Sequence, residues 1–247
     1  MLPTLFVSHG SPMHALKAGA AGSAWAAIGA RLPRPRAVLL ASAHRGTELS
    51  MLATGERPET IHDFRGFPPE LYKLHYAAPG APAIAQRALE LLKSAGLPAS
   101  GNGCRGLDHG AWVPMRYLYA HADVPVAQIS VQPSLDAAHH LRVGTALAPL
   151  AQEDVLIVGS GHMTHNLGEW MQYVRHHGLD IEETPAVAYV EEFRGWVDRP
   201  LVANELEAQA TAVPLPTQNV PAIVYQDPLD FERADLTDQF AYYTYLD

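Results

Sequence analysis

Histidines lie in the polar, glycine-containing turns that follow three apolar runs of the chain. The chain holds 13 histidines against 17 lysines and arginines, a large share for 247 residues. Imidazole is the commonest protein ligand for transition metals and the usual acid/base group near neutral pH, so the pattern points to metal or proton chemistry. The residues concerned are His9 after the run 2–7, His44 after the run 36–43, and His162 with His165 after the run 154–158.

These apolar runs predict strands that are buried on both faces, as in a sheet covered by helices. In open α/β sheets, ligands bind outside the carboxyl ends of the strands, so neighbouring parallel strands would bring the imidazoles to one edge. His109 sits in a fourth such turn, after a glycine-rich loop. Neutral imidazole nitrogens suit Zn(II) or Fe(II). We therefore expect a metal site at this edge.

Each imidazole taken alone also has an ordinary structural interpretation, such as packing in a turn or capping a helix. The shared position behind buried strands favours the metal site for the set as a whole. His62 lies in a long loop and could line a pocket. The pairs His139-His140 and His176-His177 fall where solvated helix ends are expected.

The elements that must position these side chains alternate between strand and helix along the chain. The spacing of apolar residues predicts a helix over 83–94, which ends before Gly96 and Pro98. Residues 55–80 and 99–110 are rich in glycine and predict loops, and long loops inside compact domains are often functional. The remaining predicted elements are helices near 23–31, 136–150 and 186–197, a strand over 124–131, and a final edge strand around Tyr242, Tyr243 and Tyr245.

Composition excludes several classes of function. The formal charge is −9 with no basic cluster, which argues against nucleic acid or an anionic membrane as partner. No apolar stretch approaches the roughly 18 residues of a membrane span, and no secretory signal is evident, so we expect a cytoplasmic protein. Cys104 is the single cysteine, which rules out an internal disulfide. The length predicts one domain over residues 1–247, although roughly the last forty residues show no clear periodic element.

Several long motifs resemble one enzyme family. The sequence is similar, over about residues 3–200 and in the same order, to the extradiol dioxygenases related to the LigB subunit, and to their 4,5-DOPA extradiol dioxygenase branch in particular. The motifs are Ser8-His9-Gly10-Ser11-Pro12-Met13, Ser42-Ala43-His44, Ile61-His62-Asp63-Phe64, Leu107-Asp108-His109-Gly110-Ala111-Trp112 and Gly159-Ser160-Gly161-His162-Met163-Thr164-His165-Asn166-Leu167.

The resemblance implies a three-layer α/β/α fold with a central, mostly parallel or mixed sheet, and insertion of O₂ into a small catechol beside its two hydroxyls. It makes His9 and His44 the first two metal ligands. His165 is then a ligand or the acid/base group, and His109 a second acid/base group. His62 and Tyr72 are candidates for substrate contacts. Fe(II) would be the working metal, although Zn(II) could occupy the site in isolated protein, and a homo-oligomer is compatible with the sequence.

One departure from the family pattern leaves alternatives open. The family has a further histidine ligand near the C-terminus, but no histidine follows His177 in this chain. The substitutes that the sequence offers are Asn219, Asp227, Asp230 and Glu232, or no ligand at all. A non-catalytic metal- or ligand-binding protein and a zinc-dependent hydrolase using the same histidines therefore stand beside the dioxygenase.

Overall fold

Six strands form one mixed sheet at the centre of the chain. In this computed structural model the described residues are 2–162, 165–177 and 188–203. The strands are β1 Leu5–Ser8, β2 Ala37–Gly46, β3 Ser50–Ala53, β4 Ala99–Asn102, β5 Val126–Val131 and β6 Val155–Gly161. The α-helices are α1 Gly19–Arg31, α2 Pro82–Ser94, α3 His109–Leu118, α4 Ala137–Leu147, α5 Leu167–His177 and α6 Ala188–Ala203, with 3₁₀ turns at Pro12–Ala15, Leu71–Lys73 and Ala148–Glu153.

The strand order β1-β6-β2-β5-β3-β4 places the three histidine-bearing strands side by side. β1, β6, β2 and β5 run parallel, so their carboxyl ends share one edge of the sheet. β3 is antiparallel to β5 and parallel to β4, which makes the sheet mixed. The predicted parallel arrangement is therefore confirmed for the strands that carry the candidate site.

Side chains on the two faces of β2 pack into two separate apolar layers. Val38 and Leu40 contact the layer that contains Trp25 of α1 and Trp112 of α3. The alternate residues of β2 pack against α2 and α4 on the opposite face. Residues 37–42 of the strand are buried because they are covered on both sides, as the continuous apolar sequence predicted. The three-layer α/β/α fold is confirmed.

Four helices and strands of the described residues were not predicted. α3 contains Gly110 and Pro114, which are poor helix formers, and its start continues the glycine-rich loop 99–110. β3 and β4 have four residues each, too few for a periodic pattern, and β4 falls inside the predicted loop 99–110. α5 was also missed. The predicted strand at Tyr242–Tyr245 lies outside the described residues, and the single domain over 1–247 stays a prediction.

The pair His139-His140 is buried rather than solvated. Both residues lie in the first turn of α4, where Asp136 caps the helix by accepting from the His139 backbone N–H at 2.8 Å. His140 Nδ1 donates to the Asp136 carbonyl at 2.8 Å, and its Nε2 accepts from the Gln132 backbone N–H at 3.2 Å. The prediction of a solvated pair was wrong, because both imidazole rings form local hydrogen bonds at the start of the helix.

No helix in the described ranges combines the length and the apolar character needed to cross a bilayer.

Replacing Gly29 with alanine is expected to force α1 away from α3. A β-carbon at this position would lie 2.1 Å from the Leu118 carbonyl oxygen, which is backbone and cannot rotate away. We expect a loss of about 1–3 kcal/mol in the free energy of unfolding, measured by urea titration with circular dichroism. Gly195→Ala in α6 is the matched control, because nothing lies within 4 Å of its β-carbon, and it should gain about 0.5–1 kcal/mol. Equal effects of the two substitutions would contradict this account.

Candidate active site

Three imidazoles meet at the carboxyl edge of the sheet. His9 Nε2 lies 2.9 Å from His44 Nε2. The ring of His109 lies 4.0 Å from that of His44 and 5.2 Å from that of His9, centroid to centroid. One ring nitrogen from each of the three residues falls within 4.8 Å of the other two. The convergence predicted from the strand pattern is therefore present for these three residues.

Backbone geometry fixes the position of each ring. His9 follows β1 directly, and its N–H donates to the Gly161 carbonyl of β6 at 3.1 Å. His44 lies inside β2, not after it, in the stretch where the pairing with β5 becomes irregular. His109 is the first residue of α3, whose N-cap is Asp108.

Gly110 allows the start of α3 to approach the strands. A β-carbon on this residue would lie 2.5 Å from Ser42 Oγ and 3.1 Å from both the His9 and the His44 rings. No other residue type leaves that space free. The glycine after the histidine is therefore required by the close packing of α3 on the imidazole cluster.

The tautomer of His9 follows from its hydrogen bonds. His9 Nδ1 lies 3.0 Å from Ser160 Oγ. The single hydroxyl proton of Ser160 is donated to the Gly110 carbonyl oxygen, so the hydroxyl must accept from the His9 Nδ1–H. His9 Nε2 then carries a lone pair that faces the other two imidazoles.

Burial keeps the His9 and His44 imidazoles neutral. Burial is the largest cause lowering the pKa of His9 well below its ordinary value, followed by the neighbouring His44 and His109. Burial also lowers the pKa of His44, with His109 lowering it further and Asp63 opposing the shift. Neutral imidazole is the form that binds metals, so no proton has to be removed at neutral pH.

The donor set fits a metal ion. Without one, the lone pair on His9 Nε2 would face the nearby His44 Nε2 in a buried, low-dielectric setting, which is repulsive unless one nitrogen carries a proton. A cation bound by these nitrogens removes that repulsion. Imidazole nitrogens suit both Zn(II) and Fe(II), so the geometry supports a metal without identifying it.

His162 and His165 lie beside this cluster and form its continuation. The His162 ring is 5.5 Å from that of His9 and 5.8 Å from that of His165. Burial and the nearby His165 lower the pKa of His162 to about 4, and burial likewise lowers the pKa of His165. His109, not His165, is the third imidazole of the close group. The ligand role of His165 stays a prediction, and Asn219, Asp227, Asp230 and Glu232 lie outside the described residues.

Aromatic side chains from the loop 55–80 surround one side of the cluster. The Phe64 ring contacts the His109 ring edge-on at 5.6 Å and the Tyr72 ring at 5.3 Å. The His62 ring lies 5.9 Å from that of Tyr72, and His62 Nε2 donates to the Leu74 carbonyl at 3.0 Å. His62 and Tyr72 therefore lie close to each other. Phe64 links Tyr72 to the His109 ring of the cluster. The sequence analysis quoted Phe64 within a motif without singling it out.

Two carboxylates, also quoted only within motifs, lie next to the imidazoles. Asp63 contacts His109 and His44. Asp108 is fully buried and accepts from Ser42 Oγ at 2.6 Å, from Gln128 Nε2, and from Arg105 Nη2 at 3.2 Å. Each acid is adjacent in sequence to a histidine singled out above, and that adjacency was the available signal.

The metal-free protein is expected to lose stability as the pH falls through the histidine range. The folded pKa values of His9 and His44 are lowered, so below about pH 6.5 the unfolded chain binds more protons than the folded one. Urea unfolding in EDTA at several pH values should show a free energy of unfolding that decreases from about pH 7 to pH 5. His9→Gln should make this dependence shallower, while His121→Gln, at an exposed position, should not. An unchanged slope in the His9 variant would contradict the assigned burial.

Comparison with known proteins agrees with this geometry. Residues 3–198 match the family described as the catalytic LigB subunit of aromatic ring-opening dioxygenase. The chain is 38% identical over 224 residues to an Escherichia coli K12 protein named "4,5-DOPA dioxygenase extradiol", covering 87% of this chain and 80% of that protein. A Beta vulgaris protein of the same name is 44% identical over 166 residues, covering 66% and 62% of the two chains.

A solved structure shares the architecture as well. The crystal structure of an uncharacterized Escherichia coli K12 protein aligns with a TM-score of 0.57 and 30% identity, over 87% of this chain and 84% of that one. Family match, relatives and fold agree along the same stretch that carries the imidazole cluster. The chain therefore belongs to the LigB family of aromatic ring-opening dioxygenases, in the branch whose curated members are named 4,5-DOPA dioxygenase extradiol.

Proposed function

We propose that this chain binds Fe(II) through His9, His44 and His109 and uses it to insert O₂ into a ring bond beside the two hydroxyls of a small catechol, DOPA or a close analogue. The observation that carries the proposal is the group of three ring nitrogens within 4.8 Å of one another, from buried His9 and His109 and partly buried His44. Family membership supplies the reaction class. The names of the relatives supply the substrate class.

A ferrous ion bound there supplies the redox chemistry that couples a catecholate to O₂. The protein contributes a neutral, water-poor ligand set, since burial holds His9 and His44 in the unprotonated form at neutral pH. Zn(II) fits the same nitrogens and would compete for them in purified protein, because it binds such ligands more tightly than Fe(II) does.

His165 is proposed as the acid/base group. Its pKa is lowered by burial, so its neutral ring can accept the proton of a catechol hydroxyl at neutral pH. It contacts His162, which in turn contacts His9, and this places it beside the ligand group. His109 is assigned to the ligand group here because its ring lies against that of His44.

The catechol ring is proposed to lie against the aromatic side of the cluster. Phe64 contacts the His109 ring, and Tyr72 and His62 extend the same surface. Tyr72 is 36% exposed, so it reaches solvent where a substrate would enter.

A cytoplasmic location, a homo-oligomer and the absence of nucleic-acid or membrane partners are proposed from composition alone.

Iron-loaded protein should consume O₂ when given a catechol. Metal-free protein is loaded with Fe(II) under anaerobic conditions, then mixed with DOPA and air-saturated buffer. An oxygen electrode and the visible spectrum should report O₂ uptake together with a yellow ring-opened product. His44→Ala should abolish both, and His121→Ala, at an exposed position, should retain both. Loaded protein that is inert with DOPA and simple catechols alike would refute the proposal.

The third nitrogen can be identified by metal binding alone. Removing a ligand should weaken Co(II) or Zn(II) binding by at least about tenfold, because buried ligands dominate affinity. We expect His109→Ala to show this loss and His165→Ala to bind metal nearly as tightly as wild type while losing turnover. Competition titration with a chromophoric chelator measures the affinity. The reverse result would restore His165 as ligand and make His109 the acid/base group.

A further inference from the structure

Two arginines lie on the segments that carry the imidazole cluster. Arg45 follows His44 in β2 and is buried, with 4% of its surface exposed. Arg105 lies in the loop before α3, and its Nη2 donates to Asp108 Oδ2 at 3.2 Å. The two guanidinium groups are near enough for the charge of Arg105 to lower the pKa of Arg45. Two positive charges therefore lie together at the carboxyl edge of the sheet.

Asp108 is the carboxylate next to this pair, and its acceptor sites are already filled. An ionised carboxylate offers about four lone-pair sites. The two oxygens of Asp108 accept from a hydroxyl, a backbone N–H, an amide and a guanidinium, which belong to Ser42, Ala111, Gln128 and Arg105. One carboxylate thus serves both guanidinium groups, and it has no lone pair left for Arg45.

Arg45 uses few of its own donors. A guanidinium group has five N–H donors. Within the described part of the chain, Arg45 makes one hydrogen bond, from Nη1 to the Gln128 backbone carbonyl at 2.7 Å. Arg105 Nε is also buried without a hydrogen-bond partner among the described residues. Buried charges are normally paired, because an unpaired one costs stability, so this arrangement favours an anion from outside the chain.

The environment of Arg45 strengthens its attraction for such an anion. Burial is the largest cause lowering the pKa of Arg45 to about 10, with Arg105 lowering it further and Asp108 opposing the shift. The guanidinium therefore stays charged at neutral pH in a setting of low dielectric, where charges attract more strongly than in water. Its planar fork of donors matches the two oxygens of a carboxylate.

The proposed substrate class supplies a carboxylate. DOPA carries one on the side chain of its catechol ring, away from the two hydroxyls. Arg45 comes one residue after His44, and Arg105 belongs to the loop that leads into α3. Both arginines therefore come from segments that border the proposed position of the ring, where its side chain would extend.

We propose that Arg45 and Arg105 form an anion subsite that binds the side-chain carboxylate of the catechol, with Arg45 as the specificity-determining residue. The inference rests on the proposed function, because it names the substrate class of that same site. The preferred substrates are then catechols whose ring substituent ends in a carboxylate. Neither arginine contacts the metal or the reacting ring carbons in this assignment.

The kinetic test compares an acidic catechol with a neutral one. Iron-loaded protein is given 3-(3,4-dihydroxyphenyl)propionate or 4-ethylcatechol, and kcat/KM is measured for each by O₂ uptake. Wild type should prefer the acid, and Arg45→Gln should lower the ratio of the two kcat/KM values by about 10- to 100-fold, because it removes a charged hydrogen-bond donor. Arg31→Gln makes the same change at an exposed position of α1 and should leave the ratio unchanged.

A binding test needs neither metal nor turnover. Metal-free protein in EDTA is titrated calorimetrically with 3-(4-hydroxyphenyl)propionate and with 4-ethylphenol, which are phenols with a single hydroxyl. Wild type should bind the acid at least about tenfold more tightly than the neutral phenol, and Arg45→Gln should lose this difference. Added chloride should weaken the binding of the acid alone, because it screens the charge.

The outcomes separate this inference from the proposed function. Turnover of both catechols without preference for the acid overturns the anion subsite and leaves the proposed function intact. If neither catechol is turned over, the proposed function fails, and the calorimetric titration still decides the subsite. An acid that binds wild type no more tightly than the neutral phenol refutes the inference, and this comparison needs no variant should Arg45→Gln fail to fold.

Discussion

The close approach of the first turn of α3 to the ends of the central strands is the contact on which the site depends. Gly110 leaves no room for a side chain against Ser42 and the two strand-borne imidazoles. Its carbonyl oxygen also accepts a hydrogen bond from the Ser160 hydroxyl, and this sets the tautomer of His9. One backbone segment thus supplies His109, makes room for the other rings and orients one of them. Asp108 fixes that segment by capping α3 and accepting from Ser42.

The sequence predicted the sheet better than it predicted the helix that completes the site. Long apolar runs are a direct signal of strands buried on both faces, so β2, β5 and β6 and their parallel arrangement could be anticipated. α3 could not, because Gly110 and Pro114 are poor helix formers and its start continues a glycine-rich loop. Its cap, Asp108, was visible in the sequence, but its fully buried partners come from distant strands.

The histidines of the site could be predicted because each follows an apolar run or a glycine-rich turn. Which of these histidines lie closest together could not be predicted, because that depends on distances between elements. His109 lies with His9 and His44, while His165 contacts the His162 ring outside that group. Asp63 and Phe64 lie in a loop without regular structure, where no periodicity marks which side chains turn inward. The predicted enzyme class is confirmed by the family match and by the relatives, which favours the dioxygenase over the hydrolase and the non-catalytic alternatives.

The pairing of β1 with β6 has a consequence for the way the protein is made. β1 leaves the ribosome well before β6, its partner in the sheet, and the His9 to Ser160 contact spans 151 positions. Until β6 has emerged, the first imidazole has neither its neighbouring strand nor the hydroxyl that orients it. The complete trio can therefore assemble only after β6 has been synthesised, because until then the nascent chain presents scattered, solvated histidines.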